Sequence, residues 1–460
     1  MKTNARTLLA AFGACALLAV PASAAFYDKT LAITVTGVPS GVTLADFPLL
    51  VRLSESAISG FSYQDFQGTG GSDLRFETAD GTGLAYEVDT WNENGESLVW
   101  VKVPQLSQGD VITMRFGSAA PDANDPTAVW ANYVAVYHGN DLTCATGGDY
   151  PASPVPATGG YTLSTARADH LGSAFYNADT TSRTRMKLGT SSANPLSNLS
   201  AVSKFALSVW VKSASASPNV RLFSNKQTYG NDGFELLAYS GNNQGLVLRG
   251  KGSSPQVGWW ADGMTAVKSQ NWTYVAAKID GSSGKIFSNG DSYGSGSLET
   301  PGAAGSWGVA FGGYADSQES ADAFTGYADE IRIYNGVPAD AYLQAEYAQV
   351  ATAGYVSYGA VQNAATDTPD ISAGPAVVRN PDGTYTVTAT VSGVAGNAYD
   401  LAVQFGATTL WSATWTAAAG ADTYALSWTS AGTEAAGTYA ATVVATAPSG
   451  ASARRTTDAA

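Results

Sequence analysis

The sequence predicts an all-β protein of three tandem β-sandwiches behind a cleaved signal peptide. Three observations carry that expectation. Val, Thr, Ser, Tyr and Trp recur in short alternating runs, the period of half-buried strands. The 50 glycines and 18 prolines fall largely between those runs, at turn positions. Helical periodicity is missing outside the N-terminus and a short piece near 338–349. With 460 residues, the chain has room for about three domains.

Residues 1–24 have the layout of an export signal: basic Lys2 and Arg6, an apolar run from Leu8 to Val20, and Ala22-x-Ala24 before the cut. Lipid anchoring at Cys15 is the alternative, but Phe12 stands where a lipobox has leucine. No later apolar run is long enough to span a bilayer as a helix. Cleavage leaves Cys144 alone, so no intrachain disulfide forms and the cores must hold the fold. The formal charge of −14 becomes −16 once Lys2 and Arg6 leave. That excludes nucleic acid or anionic lipid bound through a basic patch. A secreted or cell-surface protein is expected.

The first block, 25–134, opens with "LAITVTGV" and "FPLLVRLS", runs broken by Gly and Pro. "SDLRFETADGTG" adds a strand with an Asp-Gly turn, and "GDVITMRFGS" another. The second block, 135–359, carries "KFALSVWVKSA", "FELLAYS", "GLVLRG", "NWTYVAAKID" and "DEIRIYN", spaced as in one double-sheet jelly roll. Residues 360–368 are small and polar without periodicity, hence a linker. In the third block, 369–454, "GTYTVTATVSG" puts Tyr385, Val387, Ala389 and Val391 on one face and threonines on the other. "TYALSW" and "GTYAATVVAT" repeat that pattern, giving an immunoglobulin-like sandwich. The chain stops in "ARRTTDAA" with no sorting signal, as expected of a piece of a longer surface protein.

The hairpin "YEVDTWNENGESLVWVKV" alternates carboxylates as a glucanase strand does. An Asn94-Gly95 turn would set Glu87 opposite Lys102, Asp89 opposite Trp100 and Trp91 opposite Leu98. Glu87 then has a stabilising cross-strand lysine, and Trp91 stands where a second catalytic acid is needed. The expectation is no catalysis here, but an exposed aromatic-and-acid patch of Asp89, Trp91 and Trp100. Only two histidines occur, His138 and His170, and no zinc motif or nucleophile elbow accompanies them. In the second block Trp259, Trp260, Tyr229 and Tyr239 lie among Asn, Gln and Asp, the mixture that suits sugar faces and hydroxyls. Trp210 and Trp272 are expected in the core.

Two blocks resemble known families. "DFPLLVRL", "GFSYQDF", "SDLRFETADGTGLAYEVDTWN", "VWVKVP" and "MRFG" are similar to the bacterial domain-of-unknown-function family 2341, which implies an extracytoplasmic β module and no catalytic residues. "FALSVWVKS", "NWTYVAAKIDGSSGKIFSNG" and "FTGYADEIRIYN", followed by the helix "VPADAYLQAEY", resemble concanavalin-A-like jelly rolls of the laminin-G type. That resemblance implies a structural calcium ion at the sheet edge, with Asp329 and Asp141 as positions to test.

The functional expectation is a non-enzymatic protein that binds an extracellular carbohydrate or another surface polymer through the jelly roll. The alternative is a structural or adhesive spacer; a glycan hydrolase is the third reading.

Overall fold

A computed structural model describes residues 27–457 except 119–120, 149, 156–160, 165–169, 179–183, 190–198, 200–202, 215–219, 227–231, 240–244, 253, 259–266, 268–270, 303–307, 316–322, 364–367, 406–407, 419–420, 432–439 and 448–451. The expected signal at 1–24, with Cys15, lies outside the described residues. The fold is all-β, with three two-sheet sandwiches, each closed around its own apolar core.

In the first sandwich, Lys29–Val35 pairs with Val111–Phe116, which pairs in turn with Arg75–Thr78. The facing sheet is Thr43–Leu53, Ser97–Ser107 and Tyr86–Thr90. Alternation explains the packing: Leu31, Ile33 and Val35 are fully buried and their neighbours are not. The eight-stranded sheet of the second sandwich centres on Gly326–Asn335, Lys204–Ser213 and Thr273–Asp280. A seven-stranded sheet that includes Val220–Ser224, Glu235–Tyr239 and Gly245–Arg249 covers it. The third sandwich pairs Tyr385–Ser392 with Asp370–Arg379 and Thr423–Thr429, opposite a four-stranded sheet. It belongs to a compact unit of its own, while Phe26–Ala364 forms another.

Thus the first two sandwiches share one unit, and three features join them. Strand Tyr133–Tyr137, which the 134/135 boundary cuts, pairs with Gly326–Asn335 of the jelly roll. Val356–Tyr358 returns to pair with Lys29–Val35, and Gln362–Asn363, inside the expected linker, pairs with Lys29 and Thr30. Helix Asp340–Ala351, close to the expected 338–349, is wedged between the two sandwiches. Its Leu343 packs beside Trp210, Tyr274 and Phe287 of the jelly roll. From the same helix, the Gln349 carboxamide accepts the Leu50 N–H (2.9 Å) and donates to the Pro48 carbonyl (3.2 Å) of the first sandwich.

The Glu87 hairpin departs from its expected register. Glu87 faces Trp100 and Val88 faces Val99, while Asp89 sits in a bulge before Thr90 pairs with Leu98. Lys102 is near Asp46 instead (3.7 Å). The cause is the loop. Asn92 makes an Asx turn, its carboxamide accepting the Asn94 N–H (3.2 Å), and its own N–H goes to Ser97 Oγ (2.8 Å). Trp91 leaves the ladder to pack edge-on against Tyr63 and Phe66. These contacts replace the two-residue turn with a six-residue loop between Thr90 and Ser97.

Candidate functional site

Two polar features meet at the joint between the first two sandwiches. The first is a buried cluster. The shifted hairpin turns Glu87 and Trp100 toward the jelly roll, and the bulge re-aims Asp89 beside them. His138 lies just past strand Tyr133–Tyr137 and reaches both halves. Its Nε2 is 3.1 Å from Glu87 Oε2, and its Nδ1 is 2.9 Å from Glu330 Oε1 and 4.0 Å from Asp89 Oδ2. Glu330, with a left-handed φ of 50°, sits where the register of Gly326–Asn335 against Lys204–Ser213 shifts.

The cluster is cross-braced by hydrogen bonds. Trp130 donates its indole N–H to Glu87, and Trp100 donates to Asp89 Oδ2 (3.4 Å). Asn140 Nδ2 donates to Asp89 Oδ1 (2.9 Å). Arg332 donates to Glu330 Oε2 (2.7 Å) and Glu346 Oε1 (3.2 Å), and its guanidinium lies over the Trp100 and Trp130 rings at 4.4 and 4.8 Å. Glu346 also accepts from Tyr133 (2.6 Å) and Tyr274 (2.8 Å). The His138, Asp89 and Glu330 side chains are each under 5% exposed, at 4%, 4% and 3%.

Burial shapes the protonation of this cluster. Desolvation, reinforced by Glu330, Glu87 and Asp329 and opposed by His138, pushes the Asp89 carboxyl up to about 7. Burial disfavours His138 cation, but Glu330, Glu87 and Asp89 outweigh it and hold the imidazole well above its ordinary value. Burial likewise opposes the Glu330 charge, while His138 and Arg332 pull its carboxyl down.

The second feature is a cleft of about 470 Å³ beside this cluster. Trp130 is among its lining residues and also donates its indole N–H to Glu87. Tyr133, Thr146, Tyr150, Lys204 and Asn335 bring aromatic, hydroxyl, ammonium and carboxamide groups to it. Tyr150 folds back over a glycine pair: a Cβ at Gly148 would lie 2.0 Å from its ring, and Gly147 holds a φ of 76°. Asn335 and Lys204 meet because their strands end together, Asn335 pairing with Phe205. No Asp, Glu or His is among the described residues of its lining.

The expected site residues distribute differently. Trp259, Trp260 and Tyr229 lie outside the described residues, and Tyr239 is placed as the last residue of strand Glu235–Tyr239. The exposed patch of Asp89, Trp91 and Trp100 is corrected. Trp100 is fully buried and the Asp89 side chain is covered, because His138, Trp130 and Arg332 dock on that face. Trp91 is half-buried, its N–H on Glu93 (3.0 Å). Trp210 is buried as expected, though beneath the helix rather than between the sheets. Asp329 is fully buried; its Oδ1 accepts the Glu330 N–H (2.9 Å) and its Oδ2 lies 3.0 Å from His170 Nδ1. Asp141 is exposed and caps its own turn through Thr143. Sequence reasoning missed Glu330, Arg332 and Glu346. The signal available was Glu330-x-Arg332, two charges at alternate positions of a strand that otherwise carries only one charge, Asp329.

Residues 188–342 match the family model of the Concanavalin A-like lectin/glucanases superfamily. Ahead of this concanavalin-A-like domain, residues 70–143 match a domain of unknown function, DUF2341, in the order the sequence motifs gave. No curated protein matches the chain. Among solved structures, domain 4 of AbnA, a GH43 extracellular arabinanase of Geobacillus stearothermophilus in complex with arabinotriose, is 20% identical. That match covers 46% of this chain and 97% of the other, with a TM-score of 0.35. The Ruminococcus gnavus IT-sialidase CBM40 bound to α2,3 sialyllactose is 21% identical over 32% of this chain and 83% of its own, with a TM-score of 0.25. The botulinum neurotoxin serotype C1 binding domain is 9% identical over 70% and 87%, with a TM-score of 0.35.

Proposed function

We propose that this chain is an exported, non-catalytic carbohydrate-binding protein whose lectin-type sandwich holds glycan in the cleft beside Tyr150. The observation that carries this reading is the lining of that cleft. Tyr150 would offer its ring to sugar C–H groups, while Asn335, Thr146 and Lys204, whose ammonium also pairs with Asp280 (2.8 Å), would offer edges to hydroxyls. The match of residues 188–342 to a lectin and glucanase superfamily supports the ligand class. The placement of the carboxyl groups supports the absence of catalysis. A glycosidase needs two carboxyl groups facing its sugar. Here Glu87, Asp89 and Glu330 are buried in the joint and bonded to Trp130, Trp100, His138 and Arg332. The export signal expected at 1–24 supports an extracellular ligand.

A glycan array and polysaccharide pull-down with the chain from Ala25 onward tests this directly. Binding that is lost in Tyr150→Ala and weakened in Asn335→Ala, with melting temperatures retained, is the expected result. A blank array, or binding untouched by both substitutions, removes the cleft from the reading and returns the chain to a spacer role. Reducing-sugar release from any bound glycan would overturn the non-catalytic part.

A further inference from the structure

We propose that Asp89, His138 and Glu330 form a binding site for one divalent transition-metal ion of the zinc class, at the joint between the two sandwiches. The three ligand atoms, one each from Asp89, His138 and Glu330, all lie within 4.8 Å of one another. They come from three separate segments: strand Tyr86–Thr90, the residue after strand Tyr133–Tyr137, and strand Gly326–Asn335. An ion at their centre would tie both sandwiches together.

What distinguishes this cluster from an ordinary ion pair is how its outer atoms are used. His138 Nε2 faces Glu87 Oε2 at 3.1 Å, which turns Nδ1 toward Asp89 and Glu330. The outer oxygen of Asp89, Oδ1, accepts from Asn140 Nδ2 at 2.9 Å. The outer oxygen of Glu330, Oε2, accepts two bonds from Arg332, at 2.7 and 3.1 Å. Each ligand is thus held from outside and turns one atom inward, although Asp89 Oδ2 also accepts the Trp100 N–H (3.4 Å). That is how metal-ligating imidazoles and carboxylates are held, by partners that fix ring orientation and raise basicity.

Charge points the same way. Glu87, Asp89 and Glu330 bring three carboxyl groups into the joint around His138 and Arg332, and Arg332 is shared with Glu346. A divalent ion that takes the place of the proton on His138 Nδ1 would keep these buried carboxyl groups compensated. One imidazole with two carboxylates suits zinc or manganese; calcium prefers an all-oxygen shell. The site is separate from the cleft and does not depend on glycan binding. Trp130 touches both, lining the cleft and bonding to Glu87.

The test uses the chain from Ala25 onward without a polyhistidine tag, stripped with a chelator and titrated with Zn²⁺, Co²⁺ or Ca²⁺. The expected result is one equivalent of zinc by elemental analysis, a melting temperature that rises with zinc, and a visible Co²⁺ spectrum bleached by zinc. Glu87→Gln, which leaves all three ligands in place, should weaken zinc about 10- to 100-fold. Asp89→Asn and Glu330→Gln should abolish binding, with folding checked by circular dichroism. If those two variants do not fold, the wild-type stoichiometry, the Co²⁺ spectrum and Glu87→Gln still decide. The proposal is overturned by a folded wild type that takes up no stoichiometric zinc or cobalt. Equal zinc affinity in wild type and Glu87→Gln overturns it too, as does stoichiometric uptake of calcium in preference to zinc.

Discussion

His138 Nδ1 lies 2.9 Å from Glu330 Oε1, a residue 192 positions further along the chain. The contact joins the end of one sandwich's sequence to the last long strand of the next, and Arg332 closes it from the far side. Arg332→Met should therefore cost about 3–5 kcal/mol, because it leaves Glu330 and Glu346 buried without their shared cation. The exposed pair Arg52–Glu96, at 2.7 Å with side chains 31% and 43% accessible, is the control. Arg52→Ala should stay within about 1 kcal/mol. Urea unfolding of both variants measures the difference, and similar losses would show that the joint is not held by this network.

The cleft depends on a missing side chain. At Gly148 a Cβ would sit 2.0 Å from the Tyr150 ring, so Gly148→Ala must displace the tyrosine. Glycan affinity should fall by an amount comparable to Tyr150→Ala. Gly109→Ala separates this from simple backbone strain. Gly109 has a φ of 88° and nothing within 4 Å of an added Cβ. It should lose about 1–2 kcal/mol of stability from the left-handed backbone alone, with glycan affinity unchanged. A Gly148→Ala protein that binds like wild type would remove Tyr150 from the site.

The helix that wedges the joint brings its own acid dependence. Asp340, in its first turn, accepts hydrogen bonds from Lys278 and Lys285 of the jelly roll. Burial opposes its charge, but the two lysines outweigh it and hold the carboxyl below its ordinary 3.8. A carboxyl whose folded pKa is depressed contributes stability above the unfolded value and loses it as pH falls through the folded one. The stability gap between wild type and Asp340→Asn should be constant above about pH 5 and close as the solution is acidified below about pH 3.8. Urea midpoints across that range measure it. A gap that persists unchanged into strong acid would mean that the side chain acts by shape rather than charge.

What was legible in the sequence was whatever obeys a local period. The strand "TYTVTATV" buries Val387 and Val391 as its alternation requires, and helix Asp340–Ala351 lies close to its expected place. The hairpin shows the first limit. Its two faces were assigned with the right parity, but the register moved by two residues because an Asx turn at Asn92 and the packing of Trp91 outweighed the Asn-Gly signal. The second limit is charge. Glu87, Glu330, Arg332 and Glu346 look like surface residues in any local window, yet all are buried, since their partners come from segments far away. A patch that reads as exposed on an isolated hairpin is covered once the second sandwich docks on it.

That docking makes the first sandwich incomplete by itself. Its edge strand Lys29–Val35 takes Val356–Tyr358 as a partner, and its core cluster includes Tyr342, Ala345 and Tyr355. Gly37 lies under Tyr355, where a Cβ would meet the ring at 2.1 Å. A fragment of residues 25–134 would expose those apolar faces, leave the edge unpaired and strand Glu87 without His138. It should be unfolded or aggregated, whereas 25–364 should melt cooperatively as one unit. Residues 365–460, a separate compact unit with their own core, should fold alone. Circular dichroism melts and limited proteolysis of the three fragments check this. A 25–134 fragment that unfolds cooperatively near the melting temperature of 25–364 would mean that the returning strand and the helix add little to the first sandwich, and that the joint is an interface between independent domains.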